Sequence, residues 1–277
     1  MTRSTTEARP LHSQVGWSYR SDGSSKFAYG NQTSAATVTG PREVRLRDEL
    51  TDSATFQVIV APLDGTAGIS MTSLSTELQS LFKSVILLHH HPRSLIQLTV
   101  QTTTTPPQFT STLRLTLDAR ETSQSGSKPR APLVLGPDQP FLTSEIAASI
   151  NASTLALLDA NIPLRATVVA SSCAIVPRSE LCDERVVDPD EQSPSLIVID
   201  PTPEEERAAD SLHVLAFAVS GYEPATNNDT FVQHSLVYCS STGCTSAKQR
   251  NQLVKITQKD AMNTLSSIRM MLENRFE

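Results

Sequence analysis

Residues 71–101, MTSLSTELQSLFKSVILLHHHPRSLIQLTVQ, change their hydrophobic period part-way along. Leu74, Leu78, Leu81, Val85 and Leu88 recur at steps of three and four, which puts them on one face of a helix spanning residues 71–90. Pro92 ends it, because a proline disfavours helical backbone in the residue before it. From Leu95 to Gln101 apolar and polar residues alternate, the period of a half-buried strand. A helix followed directly by a strand points to a mixed domain.

The same reading extends in both directions. Downstream, a second helix opens near Thr143-Ser144, with Ser144 as its N-cap and Glu145 in its first turn, and it runs through IAASINASTLALLDA to Pro163. Apolar segments at 166–176, 196–199, 212–219 and 231–239 read as strands, with a turn at Thr242-Gly243. A last helix covers 246–275, with Leu253, Ile256, Ala261, Leu265, Ile268 and Leu272 on its buried side. Upstream, Asp22-Gly23 and Tyr29-Gly30-Asn31 suit hairpin turns with positive φ, and strands are predicted at 34–39 and 56–62. The order is strands, helix, strand, helix, strands, helix. That is an α/β (α+β) domain of mixed sheets packed on helices; its antiparallel runs exclude a simple doubly wound fold.

One domain is expected over residues 14–277. Residues 1–13 are polar and read as a flexible N-terminus. Two stretches read as surface insertions: 102–141, rich in Thr, Ser, Pro and Gln, and 177–195, polar and charged. The 277 residues carry a formal charge of −6, which disfavours an all-over nucleic-acid binder but not a local basic patch. The four cysteines form no CxxC pair, which suggests free thiols in a reducing compartment. No apolar run approaches a membrane span and no signal core is present, so an intracellular location and no membrane partner are expected.

Chemistry has few places to reside. GxSxG, Walker, GxGxxG and HExxH motifs are absent. Successive residues His89, His90 and His91 point in different directions at a helix end and do not converge on one ion. Asp159, late in a helix, reads as a solvated or capping carboxylate. Arg45 and Arg47, alternating after Arg42, would share one strand face and contact phosphate, or stand in solvent answered by Asp48 and Glu49. The remaining feature is IVIDPTPEEERAAD (197–210), five carboxylates within eleven residues. Carboxylates after a strand can hold Mg²⁺, and Asp210 could act as a general acid; a solvated acidic turn is the plain alternative.

Four segments change the weights. RSDGSSKFAYGNQTSAATVTGPREV, HHHPRSLIQLTVQ, INASTLALLDANIPL and IVIDPTPEEERAADSLHVLAF occur in this order and together resemble the RNase PH family. These are phosphorolytic 3′→5′ exoribonucleases and their inactive relatives, and within them the likeness is to eukaryotic exosome core subunits. The resemblance implies an RNase PH-like fold and a place in a six-membered ring that guides RNA through a central channel. It also implies partners: other RNase PH-like exosome subunits, with the ribosomal-RNA-processing-protein-43 type as dimer partner, and S1/KH cap subunits such as the protein-40 type. Nucleus, nucleolus and cytoplasm are the locations implied.

An active member of the family has an arginine pair before the first long helix, a Gly-Ser/Thr-Arg phosphate turn at the second helix, and an aspartate beyond the following strands. Matched residue by residue, the RNA-clamp pair falls on Ile69 and Ser70, and the phosphate turn on Ser144, Glu145 and Ile146. Only the acid survives: Asp210 falls on the aspartate position and Glu204 on that of an acidic partner. The resemblance therefore implies no catalytic residue, no cofactor and no metal, with Asp210 and Glu204 as remnants. RNA contact would fall to Lys83, Arg93, Arg45 and Arg47. The alternative is a metal-dependent hydrolytic nuclease built on Asp210, Glu204 and Glu206.

Overall fold

The computed structural model describes residues 3–61, 68–104, 141–178, 185–186, 195–221 and 233–276. A five-stranded sheet is built from β2 (Leu11–Val15), β3 (Gly23–Tyr29), β4 (Gln32–Glu43), β5 (Thr55–Ala61) and β6 (Ser94–Thr104), in the order β2-β3-β4-β6-β5. Its pairs are antiparallel except β5 with β6, which run parallel and are joined through α1 (Ile69–Val85). A four-stranded antiparallel sheet combines β7 (Thr167–Pro177), β9 (Ser195–Ile199), β10 (Ser211–Ser220) and β11 (Gln233–Gly243), in the order β11-β10-β7-β9. β1 (Arg3–Ser4) pairs in parallel with β8 (Arg185–Val186).

Between the sheets lies α2 (Thr143–Asp159), whose Ala147, Ala148, Ile150, Ala152, Leu155, Ala156 and Leu157 are fully enclosed. They share one core with Leu74, Leu78 and Phe82 of α1, with Phe27, Val38 and Leu98 of the first sheet, and with Val168 and Val214 of the second. The small residues of α2 let both sheets approach it. Gly23 shows how close: a Cβ there would lie 2.3 Å from the Ala156 carbonyl oxygen. Gly23 serves this approach and has no positive φ, which corrects the conformation expected at Asp22-Gly23; the hairpin itself forms, with β2 and β3 paired antiparallel across residues 16–22. The other expected hairpin forms, with Tyr29 paired to Gln32 across Gly30 (φ +57) and Asn31.

In the second sheet the central strands β7 and β10 are buried on both faces, whereas the edge strand β11 is largely exposed. Val214 and Ala216 look toward α2, while Leu215, Phe217 and Val219 look toward Leu253, Ala261 and Leu265 of α4 (Ala247–Phe276). Two-sided burial is why these strands read as apolar runs without alternation. Asn151 binds α2 to β7: its amide nitrogen donates to the Tyr29 hydroxyl and to the Ala170 carbonyl, each at 3.0 Å, and its oxygen accepts from the Ala170 N–H at 2.8 Å.

Several expectations are corrected. The first helix ends at Val85, not His90. Ile86 turns extended and bridges Leu164, the Leu87 N–H donates to the Pro163 carbonyl, and Leu88–His90 form a separate 3₁₀ turn. Tertiary pairing with the chain leaving α2 outcompetes a continuing apolar period. The opening residues, read as loose, form strand β2 from Leu11 and carry Arg3 and Arg9 into the domain. Strand β6 continues to Thr104 and β7 to Pro177, so residues 102–104 and 177 belong to strands; most of the rest of 102–141 and 177–195, expected as insertions, lies outside the described residues. Among the described cysteines, Cys173, Cys239 and Cys244 are free. No described helix is long and apolar enough to cross a membrane.

Candidate functional site

The acidic stretch begins where β9 stops. Asp200 takes a left-handed conformation (φ 47), and its N–H donates to the Ser172 carbonyl at 2.9 Å. Its carboxylate is buried and meets Arg9 three times: the main-chain N–H at 3.0 Å, Nε at 2.6 Å and Nη2 at 2.5 Å. Nη2 of Arg3 donates to the Asp200 carbonyl at 3.0 Å, and Arg3 also lies 3.7 Å from the Glu205 carboxylate. A planar guanidinium gripping a carboxylate from two atoms is a strong, directional pair.

Thr202 then caps α3 (Pro203–Ala208) in a reciprocal box. Its N–H donates to Glu205 Oε2 at 2.8 Å, and its Oγ1 accepts from the Glu205 N–H at 3.3 Å. The next residue, Glu206, is pointed at the start of α2. Its Oε1 accepts from the Thr143 N–H at 2.9 Å, the Thr143 hydroxyl at 2.6 Å and the Ser144 N–H at 3.4 Å. These are orphan donors of a helix N-terminus, where a negative charge is favoured. Burial nevertheless raises the Glu206 carboxyl to about 7, although the Thr143 and Ser144 donors and nearby Arg9 hold it down.

Glu206 corrects the expected N-cap. Ser144 is the second residue of α2, the N-cap position is Leu142, and neither caps through its side chain. The Ser144 hydroxyl instead donates to Gln32 Oε1 at 2.5 Å. Glu145 is buried and accepts from the Thr102 hydroxyl; its carboxyl is raised, mainly by burial. Ile146 is half-buried against the core. The three positions matched to the phosphate turn therefore carry a hydroxyl, a buried carboxyl and an apolar side chain, with Glu206 bound to the amides in front of them.

The five carboxylates divide into two kinds. Asp200, Glu205 and Glu206 are buried and committed to an ion pair or a cap, whereas Glu204 and Asp210 are exposed. Asp210 immediately precedes β10, with its N–H on the Ile175 carbonyl. Glu206, the third member of the hydrolytic alternative, is committed to α2. Among the described residues, no group of three or more His, Cys, Asp or Glu is arranged to hold a metal ion.

Ile69 and Ser70 lie in the first turn of α1, with Ile69 largely exposed. Lys83 is exposed in the last turn of the same helix, where a cation complements the helix dipole. Arg93 is exposed, with Nε 3.4 Å from Glu49. Arg45 and Arg47 do not share a strand face. The β4 ladder ends at Glu43, and the chain closes a 3₁₀ turn at Leu46–Asp48 in which Arg47 faces Asp48 at 3.4 Å. Asp159, the last residue of α2, accepts the Ser24 N–H of β3 at 2.9 Å and so ties the helix end to the strand, a structural use and not a helix cap.

Sequence reading missed Arg3, Arg9, Thr143 and Gln32. The Thr202–Glu205 spacing was a legible capping signal. Nothing local marks Arg9 as the partner of a residue so far along the chain.

A central helix between two sheets, with this helix N-terminus beside a post-strand acidic turn, defines the class. The chain belongs to the RNase PH family: residues 7–163 match domain 1 of the 3′ exoribonuclease family. It is similar to Exosome complex component RRP46 of Saccharomyces cerevisiae, 26% identical over 265 residues that span 95% of this chain and 96% of that protein. Exosome complex component rrp46 of Schizosaccharomyces pombe is 29% identical over 160 residues, 58% of this chain and 55% of that protein. The crystal structure of rice (Oryza sativa) Rrp46 superposes with a TM-score of 0.68 at 19% identity, covering 98% of each chain, and shows the shared fold.

Proposed function

We propose that this chain is a non-catalytic RNase PH-like subunit of an exosome core ring, of the ribosomal-RNA-processing-protein-46 type. Its work is to scaffold 3′→5′ RNA processing and decay, ribosomal RNA processing included, and to help line the RNA channel. The near full-length likeness to the yeast relative supports the subunit type. The observation that carries the non-catalytic part is Glu206. Its carboxylate occupies the α2 amides at the position where active family members bind phosphate.

Phosphorolysis needs an oriented phosphate as nucleophile. Here an incoming phosphate meets an internal carboxylate already on its donors, a second carboxyl at Glu145, and no arginine at Ile146. Losing the oriented nucleophile forfeits a proximity contribution of roughly 7–11 kcal/mol. Asp210 and Glu204 remain as exposed remnants. The partners that follow from this reading are the 43-type subunit as dimer partner and the S1/KH caps, with RNA contacted by Lys83 and Arg93. The chain would work in nucleus, nucleolus and cytoplasm.

Co-expression with the 43-type subunit, followed by size-exclusion chromatography and light scattering, tests assembly. A stable one-to-one complex that enters a ring with the other subunits is expected. A well-behaved monomer with no affinity for them would overturn the assignment. RNA shortening that needs only Mg²⁺ or Mn²⁺ and is lost in Asp210→Asn would replace it with the hydrolytic reading.

A further inference from the structure

The chain carries a formal charge of −6, but its last helix does not share that balance. Along α4, Lys248, Arg250, Lys255, Lys259 and Arg269 are all exposed. The acids in the same span are Asp260 and Glu273. Asp260 is buried and accepts from the Ser171 hydroxyl at 2.6 Å, so it does not reach the surface. From Ala247 to Leu272 the exposed face holds no carboxylate.

The lysines are aligned. At about 100° and 1.5 Å per residue, Lys248, Lys255 and Lys259 fall within about 40° of one another, directly opposite the buried stripe of Leu253, Thr257, Thr264 and Ile268. Arg269 stands about 60° from Lys248, and the row extends for about 30 Å. Among the described residues, no carboxylate pairs with any of these cations. The arrangement also opposes local stability. Lys248 and Arg250 sit in the first turn, which contains no acid, and cations at a helix N-terminus are disfavoured. Residues that break a local rule without compensation are where function is to be sought.

We propose that this outward face of α4 is a docking strip for the sugar–phosphate backbone of single-stranded RNA. The chemistry favours a polyanionic backbone over a folded protein. Protein interfaces are anchored by buried aromatic or aliphatic residues at their centre. Here the strip offers cations interleaved with the side-chain amides of Gln252 and Asn263, which can donate to phosphate and ribose oxygens, and Met270 is its one large exposed apolar side chain among the described residues. RNA rather than another polyanion follows from membership of an exoribonuclease family. The strip is separate from the α2 site and from Lys83 and Arg93, and it needs no chemistry at either.

The test uses the full chain and fluorescein-labelled oligouridine, read by anisotropy across a salt series. Charge reversal of the row (Lys248→Glu, Lys255→Glu, Lys259→Glu) should weaken binding about tenfold or more. It should also make the slope of log K against log salt shallower by about 2, at roughly 0.7 per phosphate contact on a single strand. Glu273→Lys should tighten it. The reversed variant should melt no earlier than wild type, because an acid at position 248 complements the helix dipole. A Lys83→Glu/Arg93→Glu variant should retain the helix-borne component, so failure of the strip and failure of the channel contacts are distinguishable. Equal affinity and slope in the reversed row would overturn the proposal. So would preferential binding of polyglutamate over oligouridine, which would mark the strip as a seat for an acidic protein.

Discussion

Replacing Glu206 by glutamine isolates the cost of holding an anion at the start of α2. Glutamine keeps an oxygen that accepts from Thr143 and Ser144 but removes the titration. The wild-type carboxyl is raised by burial to about 7, from an ordinary value of 4.5. A folded-state value above the unfolded one means that the native protein binds the proton more tightly. The associated stability is fully present below about 4.5 and is lost as pH rises through about 7. At about 1.4 kcal/mol per unit, the wild type should lose roughly 2–3 kcal/mol at this site between pH 5 and pH 8. Glu206→Gln should lose none of it, so the stability difference between the two should grow in the variant's favour by that amount. Glu206→Ala removes the acceptor as well and leaves buried amides unpaired, a penalty of about 1–3 kcal/mol that the glutamine variant escapes. Urea denaturation midpoints for the three proteins at a series of pH values give the comparison. Parallel pH profiles for wild type and Glu206→Gln would refute the assignment of a strained, buried carboxylate to the helix cap.

Arg9→Ala leaves the Asp200 carboxylate buried without its fork and should destabilise by about 3–5 kcal/mol, whereas Arg9→Ala with Asp200→Asn should recover part of that; a thermal-melt double-mutant cycle measures it. Gly23→Ala drives a Cβ against the Ala156 carbonyl in a part of the fold with no slack, and should cost about 3 kcal/mol or prevent soluble expression. Asn151→Ala strips Ala170 and Tyr29 of shared partners and should cost about 1–3 kcal/mol, read as a shifted urea midpoint with an unchanged slope. Asp260, raised by burial to about 6, should make wild-type stability fall between about pH 4 and 6, a fall that Asp260→Asn should flatten in the same urea series.

Much of the fold was legible because its signals are local and repeated. The α1 face, the β6 alternation and the Tyr29-Gly30-Asn31 turn follow from backbone periods and turn chemistry within a few residues. The misreadings have one physical source, which is contact between distant segments. The apolar period of α1 continues past Val85, but the chain leaving α2 captures Ile86 and Leu87. Ser144 has the chemistry of an N-cap, yet its hydroxyl turns to Gln32 because Glu206 has already taken the helix amides. Arg45 and Arg47 alternate like strand residues, but the ladder partner of β4 ends opposite Glu43. Asp22-Gly23 reads as a turn, although Gly23 is selected by the proximity of α2. The acidic stretch stands out in the sequence by its density of carboxylates. Its division into three buried structural carboxylates and two exposed ones depends on Arg3, Arg9 and Thr143, which no window around residues 197–210 contains.

The central claim is that the fold has been kept while the phosphate site has been filled from within. It is tested most directly by incubating the purified chain with 5′-labelled single-stranded RNA and inorganic phosphate, with and without Mg²⁺, and analysing the products for released nucleoside diphosphates. No diphosphate and no shortened RNA is the result expected of a subunit whose α2 amides are held by Glu206. Phosphate-dependent release of nucleoside diphosphates from the 3′ end would contradict it, and would mean that phosphate binds and attacks at a site built from other residues.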